Sequence, residues 1–494
     1  MSTPKKAFKG GYRFKNFRGK PLDIVVNIDA PERITVPLKQ GYGEATEPTV
    51  ALGDSVKAGQ IIGKNVDVLS SPVHSSVSGK VVEITKLTIG DHQVSAVIIE
   101  KNSDFTFEQA NVQKISGHDP DWKRLQADKI AELIYLSGAA SLDSCGIPTK
   151  YGSSSVNPED IEHVIVQAVE DDLLAPSPRV LLNEEALDRF VDGCGMLKRV
   201  LPGADVTVAV SKNIKPLAQE LQNRFEVTPG ISVVTVSDKY PQSLDEVLVP
   251  TVLGGGFPYG FEAANLGVTV VSVQTVLHVF DAVAEGMPVL HRLVALGGSG
   301  FLENVYLRVP IGTPGSHITA NNAKIDREYR LVCNSLLNGP TITDTSLPVT
   351  RTCSAVYAIP EAHSTEMMSF ATPGFAKDSY SKTFPTAVLP LEKKLDTNLH
   401  GEERACLSCS FCSEVCPVGI LPNVLHRYVE RDIVDESIQQ LGVFRCIDCN
   451  LCTYVCPSKI PVAQLIKQGK DRLRSEGLTD DDTTKQEFTL KGIE

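Results

Sequence analysis

Eight of the twelve cysteines in this 494-residue chain stand in two copies of one pattern, C-x2-C-x2-C-x3-C-P. The first copy is Cys406, Cys409, Cys412 and Cys416 before Pro417, and the second is Cys446, Cys449, Cys452 and Cys456 before Pro457. Three closely spaced thiolates can wrap one side of a cubane, and the fourth has to come from elsewhere. In two-cluster proteins with this pattern the fourth cysteine of each run ligates the other cluster. The spacing therefore predicts two [4Fe–4S] clusters with crossed ligation. One is held by Cys406, Cys409, Cys412 and Cys456, the other by Cys446, Cys449, Cys452 and Cys416. Each cluster passes one electron at a time, so the module reads as a short wire. Structural zinc competes, because C-x2-C pairs bind it too. Zinc accounts for a pair per site, but not for a third cysteine and a following proline twice over.

Between the runs, Leu421, Val424, Leu425, Tyr428, Val429, Ile433 and Leu441 recur at steps of three and four, which predicts helix rather than the short loop of a small ferredoxin. A further helix is expected from about Val462 to Arg474. Its Lys467, Lys470, Arg472 and Arg474 read as a solvated face, with partner docking as the sharper alternative.

A formal net charge of −12 argues against nucleic-acid or anionic-lipid binding by the body of the chain. No apolar run reaches the roughly 18 residues of a membrane span, so direct membrane insertion is not expected. The first residues, MSTPKKAFKGGYRF, lack a signal-peptide core. Cysteines arranged as metal ligands then point to a reducing cytoplasm, and any membrane association has to run through a protein partner. Cys145, Cys194, Cys333 and Cys353 have no ligand spacing and read as small buried hydrophobes.

The chain divides, on patterning, into an arm (1–30), a small all-β unit (31–105), an alternating strand and helix region (106–287), a strand-rich region (288–345), a linker (346–398), the cysteine module (399–475) and a polar tail (476–494). The segments HVIVQAV, VTVAV, ISVVTV and VTVVSVQTV read as strands of a parallel sheet, separated by ALDRFVDGCGMLKRVL and IKPLAQELQNRF as helices. Such sheets bind ligands at their C-terminal edge, over glycine-rich turns. The candidate turns are 137–149, with Gly146, and Gly254, Gly255 and Gly256.

Gly53-Asp54, Gly59-Gln60 and Ser71-Pro72-Val73 resemble a biotinyl- or lipoyl-type barrel-sandwich hybrid. The expected hairpin tip, VHSSVSG, has no lysine to carry a covalent cofactor. With Gly10-Gly11, Lys239-Tyr240-Pro241-Gln242, Ile311-Gly312-Thr313-Pro314 and both cysteine runs, nearly the whole chain resembles the C subunit of Rnf complexes, membrane-bound ion-translocating ferredoxin:NAD oxidoreductases. The resemblance implies a multidomain α/β fold: barrel-sandwich hybrid, Rossmann-like domain, β-grasp domain and α-helical two-cluster ferredoxin-type domain. It also implies FMN and NADH in the middle of the chain. It places the chain on the cytoplasmic face of the membrane, beside the membrane and peripheral subunits of an Rnf-type complex.

The chain departs from the family where that chemistry sits. The flavin loop G-L-G-G-A-G-F-P-T is here Ser141-Leu142-Asp143-Ser144-Cys145-Gly146-Ile147-Pro148-Thr149, keeping one glycine of four. Glycine is needed where backbone approaches a phosphate, and Asp143 turns a carboxylate toward an anion. The motif N-G-A-E-C-E-P is here Gln167-Ala168-Val169-Glu170-Asp171-Asp172-Leu173, retaining acids at Glu170 and Asp172. The expectation is an adaptor with no catalytic residues of its own. It takes single electrons from a ferredoxin, cytochrome or flavoprotein and passes them through the two clusters. An NADH- and FMN-using entry subunit is the alternative.

Overall fold

Val164 to Val166, Val206 to Val210 and Val268 to Val271 are nearly unbroken apolar, β-branched runs, the composition of strands covered on both faces. They form the centre of a parallel sheet in the computed structural model, which describes residues 5–65, 69–90, 92–103, 111–174, 176–324, 328–362, 375–398 and 401–478. The strand order is Lys5–Lys6, Ile231–Val236, Asp205–Ser211, His163–Ala168, Val268–Ser272. Helices Ala127–Ser137, Glu184–Val200, Lys215–Phe225 and Val273–Phe280 accompany it and bury Leu133, Phe190, Leu221 and Val276. VTVVSVQTV, read as one strand, breaks in two. Ser272 accepts a hydrogen bond from the Thr275 N–H and caps the helix that starts at Val273.

The first thirty residues are not a free arm. Lys5–Lys6 pairs in parallel with Thr235 and Val236, and Val25–Asn27 pairs with Tyr306 to Arg308 of a second, mixed sheet. That sheet runs Thr341–Ile342, Tyr329–Cys333, Ala355–Pro360, His291–Gly297, Tyr306–Pro310, Val25–Asn27. Ala355–Pro360 is an inner, almost wholly buried strand of it, although 346–398 reads as a linker in the sequence. Six residues flanked by Thr, Ser and Pro are too few to show a period. Most of the predicted tail lies outside the described residues.

Residues 33–101 fold as two small sheets, Arg33–Pro37, His92–Lys101, Gly79–Ile89 and Ser55–Val56 facing Glu47–Pro48, Ile61–Lys64 and Val73–His74. Ile34, Val36, Leu38, Ile62, Val81 and Ile99 fill the space between them. The tip at 73–79 is a joint rather than an exposed finger: Ser75 and Ser76 are fully buried, and Ser76 donates to the Ile311 carbonyl. Arg351, from the segment leading into Ala355–Pro360, is buried there too. It donates to the Pro72 carbonyl at 2.8 Å and to His74 Nδ1 at 3.0 Å. A Cβ on Gly138, at the end of Ala127–Ser137, would lie 2.2 Å from its Nη1. One guanidinium thus ties three layers together, at the cost of a pKa pushed down to about 9 by burial.

Two histidines, His278 buried and His291 half-buried, are expected to make the fold acid-sensitive. His291 is held down to about 4, first by burial and then by the charges of Arg308, Arg292 and Arg189. His278, whose ring lies 5.9 Å away, is lowered by burial and by Arg292. The unfolded chain protonates both near pH 6.5 while the folded chain does not. Their contribution is therefore complete above pH 6.5 and is lost as pH falls toward 4. His291→Gln should flatten the wild-type loss of stability between those values by up to about 3 kcal/mol, read as urea midpoints at pH 7 and pH 4.5. An unchanged slope would refute this account.

The cysteine module is two copies of one hairpin. Phe411–Val415 and Pro422–Glu430 in the first match Leu451–Tyr454 and Val462–Ser475 in the second. The expected single stretch of helix between the runs is interrupted, with Glu436–Gln440 following as a separate turn. Gly469 lets the two long helices meet closely, since a Cβ there would lie 2.8 Å from Val429.

Candidate iron–sulfur and nucleotide sites

Each run bends at matching places. Ser408 and Ser410 in the first, and Asp448 and Asn450 in the second, have φ between 52° and 62°, the left-handed region. Three residues past the closing cysteine, Gly419 and Lys459 repeat the match at φ 77° and 54°. Non-glycine residues there cost on the order of 1 kcal/mol or more each. Alternating right- and left-handed residues turn backbone N–H groups inward, a concavity suited to an anion.

The thiols fall into two sets. Cys406, Cys409, Cys412 and Cys456 line one cavity, with His426 and Ile460 in its wall. Cys416, Cys446, Cys449 and Cys452 line a second, which Cys412 also reaches, with Pro417, Val418 and Ile466 around it. Burial pushes the Cys406 thiol upward, but Arg427, donating to its Sγ at 3.1 Å, more than offsets this and the net shift is downward. Cys446 is pushed up to about 12 by burial, opposed by Lys470. Lys470 is itself buried, donating to the Cys446 carbonyl and to Asp448. The N-terminal glycine pair supports the second set. The Gly11 N–H donates to the Val415 carbonyl, and a Cβ on Gly10 would meet the Cys416 carbonyl oxygen at 2.9 Å.

At the C-terminal edge of the parallel sheet lies a cavity of about 240 Å³, whose wall includes Gln167, Asp171, Asp172, Tyr240, Ser272 and Arg292. Asp171 accepts from the Ser243 N–H at 2.8 Å and is raised to about 7 by burial and by Asp172. Arg292 is buried, with no hydrogen-bond partner at Nε or Nη1 among the described residues. Tyr240 links this cavity to the second thiol set, donating to the Cys449 carbonyl at 2.9 Å. Asn450 donates to the Leu337 carbonyl, in the loop between Tyr329–Cys333 and Thr341–Ile342, at 2.7 Å.

The nucleotide-site candidates read from the sequence do not all converge here. Asp172 does. Glu170 instead pairs with Lys20 and accepts from Ser177 at 3.0 Å, outside the cavity. Gly146 serves the turn of its own loop, where a Cβ would lie 2.4 Å from the Ser153 carbonyl oxygen. Gly254, Gly255 and Gly256 follow the C-terminal end of helix Asp245–Leu253. They lead to Phe257 to Phe261, which with Cys446, Lys470 and Arg474 line a different cleft.

An FMN phosphate needs open N–H groups at the turn or at a helix start. Here Asp143 fills such a place, its Oδ2 accepting from the Ser272 N–H at 3.0 Å at the start of Val273–Phe280. Burial raises its pKa, opposed by hydrogen bonds from Thr275 and Ser272 and by the charge of Arg292. The loop also packs against the turn at 41–42, while Leu142, Asp143 and Ser144 border a cavity of about 540 Å³. The Tyr42 N–H donates to the Ser141 carbonyl at 2.8 Å, and a Cβ on Gly41 would lie 1.9 Å from that oxygen. The residues present do not fit a flavin phosphate. Sequence inspection picks out Asp143 as a charge, but not its hydrogen bond to the cap of a helix 129 positions later.

Comparison with known proteins places these features. Residues 6–104 match the RnfC barrel sandwich hybrid domain, 137–281 the Nuo51 FMN-binding domain, and 405–461 a 4Fe-4S dicluster domain. The C subunit of the proton-translocating ferredoxin:NAD(+) oxidoreductase complex of Clostridium ljungdahlii is 27% identical over 484 residues, 96% of this chain and 95% of that one. The C subunit of the ion-translocating oxidoreductase complex of Rhodobacter capsulatus is 27% identical, covering 91% of this chain and 79% of its own. The Vibrio cholerae counterpart is 25% identical, and this chain spans only 51% of its length. Among the described residues no helix is long and apolar enough to cross a membrane. With all three domains matched in order and the Clostridium ljungdahlii protein aligned nearly end to end, the chain is similar along almost its whole length to the C subunits of Rnf-type ion-translocating oxidoreductase complexes.

Proposed function

We propose that the chain is a one-electron adaptor of such a complex, carrying two [4Fe–4S] clusters with crossed ligation and no flavin. The single observation that carries the flavin-free reading is the Asp143 carboxylate on the Ser272 N–H. Two cavities, each lined by three cysteines of one run and the last cysteine of the other, support the crossed assignment. The parallel layer is read as Rossmann-like and the mixed sheet as a β-grasp. Electrons enter from a ferredoxin, cytochrome or flavoprotein and leave toward a membrane subunit, with the chain lying peripherally on the cytoplasmic face. The cavity at the sheet edge, one tyrosine from Cys449, favours a second reading in which that edge is an electron-entry site using NADH and FMN.

The cofactor inventory of the chain, purified without air, tests this. It should contain about eight iron and eight sulfide, no flavin after added FMN is washed away, and no spectral response to NADH. Retained FMN with bleaching by NADH would favour the second reading. Colourless protein containing zinc would defeat both.

A further inference from the structure

Antiparallel pairing of Tyr329–Cys333 with Ala355–Pro360 sets Cys333 opposite Val356, so the end of one strand meets the start of the other. Cys333 and Cys353, twenty positions apart, are thereby brought to 3.7 Å between sulfurs. The sequence shows them only as two isolated small residues, and Cys145 and Cys194 are indeed simply buried. Cys353 is buried while Cys333 is half-buried. We propose that Cys333 and Cys353 form a dithiol redox centre, oxidised to a disulfide by a small-molecule disulfide and reduced again by a dithiol.

Two sulfurs already in van der Waals contact need side-chain rotation and a small approach to reach the bonded length of about 2.05 Å. The half-buried Cys333 thiolate attacks one sulfur of the small disulfide. A new Sγ–S bond forms, the old S–S bond breaks, and a small thiol leaves with a proton. The Cys353 thiolate then attacks Cys333 Sγ, closing the protein disulfide and releasing a second small thiol. Two electrons and two protons pass from the protein thiols to the small disulfide. Cys333 is the attacking thiol because it is the less buried of the two.

The bond would fasten a working part of the molecule. Asn334 follows Cys333, and its Oδ1 accepts from the Ser354 N–H at 2.8 Å. Both residues line the cavity at the sheet edge. The loop beyond supplies the Leu337 carbonyl that Asn450 of the second cysteine run grips. Oxidation would therefore staple the wall of that cavity, one hydrogen bond away from the second thiol set.

The test uses the full-length protein with its clusters, equilibrated without air in glutathione and glutathione disulfide at graded ratios, acid-quenched, alkylated and mapped by mass spectrometry. Expected is a joined pair of peptides, lighter by two hydrogens, with loss of alkylation at both positions together. Cys353→Ser should halt the reaction with glutathione left on Cys333. The proposal is overturned if both thiols stay alkylatable at every ratio that preserves the visible iron–sulfur absorption. It is equally overturned if the wild type stops at the mixed disulfide.

Discussion

Alanine at Cys456 is expected to abolish the cluster of the first cysteine run, not that of its own. Cys456 stands with Cys406, Cys409 and Cys412 around one cavity, although it lies 44 positions beyond Cys412. Iron and sulfide should fall from about eight to about four per chain. The paramagnetic resonance signal that disappears should be the one lost in Cys409→Ala. Cys449→Ala and Cys416→Ala should share the complementary loss. Two carriers in series conduct only when both are present, so electron throughput should drop by orders of magnitude in all four. A Cys456→Ala spectrum matching that of Cys449→Ala would show ligation confined within each run and would sink the crossed assignment.

Glycine at Asp143 is expected to give the chain an affinity for FMN that the wild type lacks. The carboxylate holds the Ser272 N–H at 3.0 Å and faces the field of Arg292, so it supplies from within the chain the anion that a phosphate would bring. A second anion about 4 Å away costs roughly 4 kcal/mol at an effective dielectric near 20, so its removal should tighten binding on the order of 100-fold or more. Quenching of flavin fluorescence on titration measures this. Asp143→Asn, which removes the charge but keeps the obstruction, should recover only part. Equal affinity in wild type and Asp143→Gly would remove the main argument for a flavin-free adaptor.

What the sequence makes legible follows the range of the interactions involved. The cysteine runs, their helices and the buried parallel strands are local patterns of spacing and period, and they appear in the structure within a few residues of where they are read. Ala355–Pro360 is missed because its place as an inner strand is decided by partners at 329–333 and 291–297, not by its own composition. Glu170 reads as a site residue because acids are retained there. Lys20, 150 positions away, takes it out of the cavity. Arg351 and Tyr240 carry no motif chemistry of their own. Their roles arise where one fully buried side chain meets groups from separate layers.

The weaving of the first residues through the molecule dictates when assembly can finish. Lys5–Lys6 waits for 235–236, Val25–Asn27 for 306–308, and Gly11 for the Val415 carbonyl beside a cluster cysteine. A nascent chain therefore cannot complete its domains one after another as it leaves the ribosome. Gly11 stays unplaced until residue 415 has been made, and a bulky fusion ahead of it would press on the support beneath Cys416.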